Sequence, residues 1–281
     1  MNNDNQTTVI QMPPGPEVNP FAERAAQEAA KPKKASVLSQ VTVRKRKRPI
    51  FGVLCGRPGI GKSTFGASLP KPIMIATERC DQISVPKLPV PRTLDELGAQ
   101  IKALDEEDHD YQSIILDTLD ATELLIWQWV CEEGKVNSIE EYAKGYGKGF
   151  TRAREVFTRL LSRLSRMSER FNVLLIAHTH VRSMTDPMLS APYDEWEMKI
   201  QSKSAEIVRQ MVDLIMFVNL DTVIQKETPR ARKGRAIVSD DRLLWTQPTS
   251  GFEAKNRYDL DSPMEFSWAA VQAGVDKFYD S

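Results

Sequence analysis

The sequence has few of the features that membrane or secreted proteins need. Across its 281 residues no apolar run approaches the roughly 18 residues required to span a bilayer. The N-terminus also lacks the basic start and apolar middle of a signal peptide. We therefore expect a cytoplasmic protein that makes no membrane contact.

Cysteine and net charge are scarce as well. Cys55, Cys80 and Cys131 are scattered without metal-ligand spacing, which favours reduced thiols over a disulfide framework or a zinc site. The 38 basic and 38 acidic residues cancel, which argues against wholesale coating of nucleic acid. Electrostatic binding would have to come from local patches.

Residues 1–48 have the composition of a disordered tail. They are rich in Asn, Gln, Pro, Ala and Lys and show no sustained apolar periodicity. Eight basic residues and no acidic one lie from Lys31 to Arg48, which fits a nucleic-acid contact and a solvated linker equally well. We divide the chain into a basic-ended tail, 1–48, and one domain, 49–281.

A glycine-rich loop follows the first apolar run of the domain and fits the phosphate-binding pattern G-x-x-x-x-G-K-[ST]. Its residues are Gly56, Arg57, Pro58, Gly59, Ile60, Gly61, Lys62, Ser63 and Thr64. The glycines let successive backbone N–H groups turn inward as a nest for an anion. Lys62 would add a charge for the phosphates, and Ser63 a hydroxyl for Mg²⁺. The loop predicts binding of a nucleoside triphosphate, with ATP and Mg²⁺ as the expected ligands.

Apolar strand-like runs alternate with helical runs through the first part of the domain. After the strand before the loop, strands are predicted at Pro72–Ala76, Ser113–Asp117, Asn172–Ala177 and Leu214–Leu220. Helices are predicted from Leu94, with a capping box of Thr93 and Glu96, and at Leu119–Val130, Phe150–Arg170 and Ser204–Met211.

Beyond Leu220 the pattern changes, and we expect no further helix. Short strands are predicted there at Arg235–Val238, Leu243–Thr246 and Phe252–Lys255. The whole pattern predicts an α/β fold with a mostly parallel central sheet, helices on both faces and a β-rich C-terminal edge. In such folds the ligand lies at the carboxyl ends of the strands.

Candidate catalytic residues follow the predicted strands. Asp117 ends a buried strand, as a Walker B acid does, and would lie beside Mg²⁺, although an aspartate there also caps helices. Many ATPases place a glutamate directly after this acid, but here the residue is Thr118. Glu78, after the second strand, is our candidate to position the attacking water; the alternative is a simple ion pair with Arg79 or a lysine.

The fourth strand ends in His178, at the same predicted edge of the sheet. A polar side chain there could contact the γ-phosphate and report its presence, so His178 is our candidate sensor. A structural histidine is the alternative.

The predicted helix Phe150–Arg170 has one basic side, formed by Arg152, Arg159, Arg163, Arg166 and Arg170. This side would meet a partner subunit or DNA, or simply be solvated. We expect the acidic stretch Asp105–Asp110 to be a solvated turn.

The motifs GRPGIGKST, IATER, IILDTLD, LLIAHTH and AKNRYDL resemble those of RecA-like recombinase ATPases, and most closely the phage-encoded RecA-core proteins of single-strand annealing and recombination. The resemblance runs from about Ile50 to Trp268. It implies a RecA-like P-loop NTPase core that assembles as a homo-oligomer with ATP at subunit interfaces. It also implies a bacterial host cell, single-stranded DNA as ligand and a single-strand-binding protein as a further partner.

The resemblance assigns roles to two C-terminal residues and two loops. Lys255 and Arg257 would act in trans on a neighbour's ATP, or else form an ordinary exposed turn. Glu133–Gly149 and Val181–Lys203 would bind DNA, or else serve as active-site lids. Their basic and aromatic residues are Lys135, Tyr142, Lys144, Tyr146, Lys148, Arg182, Tyr193, Trp196, Lys199 and Lys203.

Three functions fit these residues. The first is a DNA-dependent ATPase of recombination, which promotes annealing or strand pairing. The second is another nucleic-acid motor, such as a helicase or packaging ATPase, and the third is a nucleotide-dependent switch that does not hydrolyse its ligand.

Overall fold

The structure is a computed structural model that describes residues 41, 45–185, 190–225 and 235–281. Most of the predicted tail, 1–48, lies outside these ranges, and the described residues from Arg46 onward belong to one compact unit, Arg46–Ser281. No helix in the described ranges is long and apolar enough to cross a membrane.

A mostly parallel sheet forms the centre of this unit. Within the described ranges its strands are β1 Phe51–Gly56, β2 Pro72–Ala76, β3 Ser113–Asp117, β4 Asn172–Met184, β5 Tyr193–Met198, β6 Leu214–Gln225, β7 Arg235–Trp245, β8 Lys255–Asn256 and β9 Met264–Glu265. The order is β2-β3-β4-β1-β6-β7-β9, with β5 beside β4 and β8 beside β6. The five strands from β2 to β6 in this order pair in parallel, and β7 to β9 and β5 pair antiparallel.

Helices cover both faces of the sheet. They are α1 Lys62–Ala67, α2 Leu94–Glu106, α3 Leu119–Gly134, α4 Lys148–Met167, α5 Ser202–Met211 and α6 Trp268–Asp280, with a 3-10 helix at Ile139–Lys144. Because strand side chains alternate, Val53 faces α2 to α5 and Leu54 faces α1 and α6. All six residues of β1 are therefore buried, and the predicted α/β fold with a two-sided core is confirmed.

The prediction that no helix follows Leu220 is wrong, because α6 packs on the sheet. Trp268, Val271 and Val275 are its buried side, at helical spacing. The Ser267 side chain caps its start by accepting a hydrogen bond from the Ala270 N–H at 3.2 Å. Both signals are present in the sequence.

The C-terminal strands are also longer than predicted. Two predicted strands, Arg235–Val238 and Leu243–Thr246, belong to the single strand β7, because both segments pair with β6, one on each side of a register shift. The predicted strand Phe252–Lys255 becomes the two-residue β8. The β-rich C-terminal edge is otherwise confirmed.

The predicted loop Val181–Lys203 contains two paired strands in its described part, where the sequence predicts a loop. β4 runs past Ala177 to Met184 and pairs with β5, so that Val181 faces Trp196 and Arg182 faces Glu195. Lys203 belongs to α5.

The basic side of α4 is largely neutralised within the chain. The helix ends at Met167, three residues before the predicted end, so Arg170 lies just beyond it. Arg163 and Arg170 pair with Asp105 at 3.1 and 2.6 Å, and Arg152 pairs with Glu133 at 2.6 Å. Asp105 belongs to the last turn of α2. The predicted solvated turn thus supplies partners for α4, and these arginines fasten α2 and α3 to α4.

Gly149 should be intolerant of any side chain. A Cβ built on Gly149 would lie 2.0 Å from the carbonyl oxygen of Ile139, so Gly149→Ala must displace the 3-10 helix. We expect a loss of about 2 kcal/mol in the free energy of unfolding, measured by urea denaturation. Gly98→Ala in α2 is the matched control, because a Cβ there meets nothing within 4 Å. It should stabilise the protein by about 1 kcal/mol, and equal effects of the two changes would contradict the packing described.

Candidate nucleotide-binding site

The glycine-rich loop connects β1 to α1 at the carboxyl edge of the sheet. Gly61 has a φ of 101°, in the left-handed region that favours glycine. Gly56 is needed for another reason: a Cβ there would lie 2.8 Å from Cγ1 and 2.9 Å from the carbonyl oxygen of Val218. The two glycines therefore allow the turn of the loop and its close packing against β6.

Lys62 lies over this loop without an acidic partner. Its side chain is mostly enclosed, and Nζ donates hydrogen bonds to the carbonyl oxygens of Gly56 and Arg57, both at 2.9 Å. Burial lowers the pKa of Lys62, an effect that the carboxylate of Asp117 opposes. Among the described residues no carboxylate pairs with Lys62, so its charge is available to an anion.

Ser63 and Asp117 come together from distant parts of the sequence. The Ser63 hydroxyl donates a hydrogen bond of 2.5 Å to Oδ2 of Asp117, whose residue is only 6% exposed. Burial raises the pKa of Asp117, although the Ser63 hydrogen bond and Lys62 counteract it. A hydroxyl and a carboxylate side by side are hard oxygen ligands of the kind that Mg²⁺ prefers.

Glu78 emerges two residues beyond β2, whose last residue, Ala76, pairs with Asp117. Its Oε1 accepts a hydrogen bond from the Thr118 hydroxyl at 3.2 Å. Thr118 is itself held by Thr77, whose Oγ1 accepts from the Thr118 N–H at 2.7 Å. Within the described ranges Glu78 forms no ion pair. The alternative, an ion pair of Glu78 with Arg79 or a lysine, is therefore wrong for these residues.

His178 lies level with the start of the glycine-rich loop, because it pairs with Gly56 in the sheet. Its Nδ1 is 2.9 Å from Oδ2 of Asp120, and its backbone N–H donates to Oδ1 of the same residue at 3.2 Å. Burial tends to raise the pKa of Asp120, but the hydrogen bonds from His178 outweigh it and lower that pKa below its usual value. Asp120 thus fixes the ring of His178.

Sequence reasoning missed Asp120. The residue stands three positions after Asp117, at the start of α3, and its role depends on how that helix meets β4. One ligand atom each of Glu78, Asp120 and His178 lies within 4.8 Å of the others.

A cavity of about 240 Å³ collects most of the predicted site residues. It is lined by Gly59, Gly61, Lys62, Ser63, Thr64, Glu78, Arg79, Cys80, Ile83, Asp117, Thr118 and His178. Gly56, Arg57, Pro58 and Ile60 belong to the loop but lie outside this lining. The donor set fits a magnesium nucleotide, since Lys62 lacks an acidic partner and the Ser63 and Asp117 oxygens adjoin.

Lys255 and Arg257 lie apart from this cavity, near the amino ends of the strands. The Nζ of Lys255 donates to the carbonyl oxygens of Arg209 at 2.5 Å and Val212 at 2.7 Å, behind α5. Arg257 pairs at 2.8 Å with Asp213, which also binds Arg48. Their action on a neighbouring subunit stays a prediction.

A parallel α/β sheet with this loop, a buried strand-end aspartate and a mostly polar cavity between them defines a P-loop NTPase. The family model described as an AAA domain matches residues 48–258, and the chain belongs to that family. This membership supports a nucleotide-binding ATPase that uses Mg²⁺, as AAA domains usually do. No curated protein matches the chain.

Proposed function

We propose that this chain is an ATPase of DNA recombination, which binds single-stranded DNA and promotes annealing or strand pairing. The observation that supports hydrolysis best is the position of Glu78 on the same cavity as Lys62 and Asp117. In that position, the Glu78 carboxylate has no ion-pair partner among the described residues and can bind the attacking water. A nucleotide switch that does not hydrolyse its ligand would not need such a carboxylate.

Five of the residues that line the cavity have a role in this proposal. Lys62 holds the phosphates, while Ser63 and Asp117 hold Mg²⁺, which when bound neutralises charge on the phosphate oxygens. Glu78 orients a water and accepts its proton as the water oxygen bonds to the γ-phosphorus and the bond to the β–γ bridging oxygen breaks. His178, held by Asp120, contacts the γ-phosphate.

The segment Glu133–Gly149 is the first proposed DNA contact. Tyr146 is 97% exposed, and Lys144 and Lys148 flank it with exposed side chains. An exposed ring between basic residues suits stacking on an unpaired base with phosphates on either side. Tyr142 is excluded from this role, because its hydroxyl donates to Glu133 at 2.9 Å.

The β4–β5 hairpin is the second proposed contact and adjoins the nucleotide cavity directly. The backbone N–H of Lys199 donates to the carbonyl oxygen of His178 at 2.8 Å, and the Lys199 side chain is exposed. A shift of His178 on nucleotide binding would therefore move Lys199. Arg182 is less available, since it pairs with Glu197 at 3.3 Å.

We also propose a homo-oligomer in which Arg257 reaches a neighbour's nucleotide. Arg257 is the better placed of the two trans candidates, because its side chain is 52% exposed. Lys255 would first have to give up its hydrogen bonds to the α5 carbonyl groups.

Binding of single-stranded DNA tests the proposal. Lys148→Ala and Lys199→Ala should each weaken the affinity and flatten its salt dependence, by about 0.7 in the slope of log K against log salt for each phosphate that is no longer neutralised. The measurement is fluorescence anisotropy of a labelled oligonucleotide between low and moderate salt. Lys277→Ala, an exposed lysine of α6, is the matched control and should leave the slope unchanged.

Hydrolysis and annealing must respond to DNA as well. We expect single-stranded DNA to stimulate ATP hydrolysis by the wild-type chain and complementary strands to anneal faster in its presence. The DNA-dependent function would be ruled out if DNA did not change the hydrolysis rate and both lysine variants kept the wild-type salt slope. These results would favour a switch that acts on protein partners.

A further inference from the structure

One arginine of the C-terminal edge lies against the glycine-rich loop and has no role in the site described above. β6 pairs with β1 only as far as Val218, opposite Gly56, and then continues past the sheet edge beside β7. Arg242 of β7 pairs with Leu220, in this extension. The β6–β7 extension thus forms a wall beside the loop, opposite the side that carries Glu78 and His178.

Arg242 crosses from this wall to the loop. If Gly61 carried a Cβ, that atom would lie 3.1 Å from Nη1 of Arg242 and 3.6 Å from the ring of Phe266. Phe266 is held in place by stacking on Phe65 of α1, with the ring centroids 5.0 Å apart. The guanidinium group and the ring of Phe266 therefore both lie beside Gly61.

The same wall fixes the other end of the loop. Nη2 of Arg57 donates to Oδ1 of Asn219 at 3.0 Å, and Asn219 precedes Leu220 on β6. Both ends of the phosphate-binding turn are therefore in contact with the wall, at Arg57 and at Gly61.

Arg242 has no partner of its own that explains its position. Among the described residues its side chain forms no hydrogen bond and no ion pair, although two aspartates precede it in β7. One of them, Asp241, accepts instead from the Ser239 hydroxyl at 2.9 Å. Arg242 is exposed, so water solvates its guanidinium group in the absence of ligand. Its charge and its fork of donors are therefore available to an anion that binds at the loop.

We propose that Arg242 binds the phosphate chain of the nucleotide on its nucleoside side. This inference rests on the proposed function, which turns the γ-phosphate toward Glu78 and His178. β1 lies between β4, which carries His178, and β6. The rest of the phosphate chain then runs toward the β6–β7 wall, where Arg242 is within reach of the phosphates that ADP and ATP share.

The test compares the affinities of two nucleotides by calorimetric titration. Arg242→Gln should lower the affinity for magnesium ADP and the affinity for a non-hydrolysable magnesium ATP analogue by the same factor. We expect this factor to be about ten, which corresponds to the loss of one charged hydrogen bond. Arg242→Lys should recover part of the affinity, since lysine keeps the charge but not the fork of donors. Arg92→Gln, in the exposed segment before α2, is the matched control and should bind both nucleotides like the wild type.

The two proposals fail in different ways. An unchanged ADP affinity in Arg242→Gln overturns the role of Arg242, whether or not the analogue binds more weakly, because a γ-phosphate contact would affect the analogue alone. If the wild-type chain binds ADP but does not hydrolyse ATP, the proposed ATPase function is wrong. The ADP affinities of Arg242→Gln and the wild type still test the role of Arg242 in that case.

Discussion

Lys62→Ala should reduce ATP hydrolysis at least about a hundredfold, the reduction typical when one charge-stabilising donor is removed from an active site. Lys62 is the one cation of the loop whose side chain is buried and held by loop carbonyl groups rather than by a carboxylate. Its removal takes away a desolvated charge, so the fold should not suffer. Steady-state hydrolysis and a thermal melt measure the two effects.

Lys102→Ala is the control for this change, because Lys102 is exposed on α2 and pairs only with Glu106 at 3.8 Å. It should hydrolyse ATP like the wild type. If Lys62→Ala kept more than about a tenth of the wild-type rate, the phosphate-binding role of the loop lysine would have to be abandoned.

Glu78→Gln should reduce the hydrolysis rate by about two to four orders of magnitude, the range of general base catalysis, while nucleotide affinity stays the same. The amide keeps the size of the carboxylate, and its oxygen can still accept from the Thr118 hydroxyl. It cannot accept a proton from water. Single-turnover hydrolysis and ADP titration separate the two quantities.

The matched control is Glu107→Gln, an exposed glutamate just after α2. A normal rate in Glu78→Gln would show that the water is positioned by another group, and Asp120 would be the next to test. Weaker ADP binding in Glu78→Gln would instead point to a role in binding rather than in proton transfer.

The parts of the site that local signals encode can be predicted from the sequence. The loop, Asp117 at the end of β3 and Glu78 beyond β2 each follow a short apolar run, and parallel strands bring such ends to one edge. The start of α6 can be predicted in the same way, from the capping residue Ser267 and the helical spacing of the apolar residues that follow. The prediction made from the sequence overlooks these signals.

Other parts depend on pairings between distant segments. Asp120 contacts His178 only because α3 begins beside β4. Arg242 lies beside the loop only because β6 and β7 extend past Gly56. The polar residues in the middle of β7 look like a turn, yet the segments on either side of them both pair with β6, across a register shift. Tertiary contacts of this kind override local propensity, which is why Arg242 cannot be singled out from the sequence.

The central position of β1 affects how the protein folds. In the part of the chain that the structure describes, the strand that leads into the nucleotide loop pairs only with the distant β4 and β6. At its two ends the Ile50 N–H binds the Asn172 side chain, 122 residues away, and Arg57 binds Asn219, 162 residues away. Contacts of such high contact order form only after long chain segments have been closed, at a cost in entropy. Nucleotide binding would therefore report that β4 and β6 have already docked, and a chain truncated before β6 should neither bind ATP nor be rescued by it.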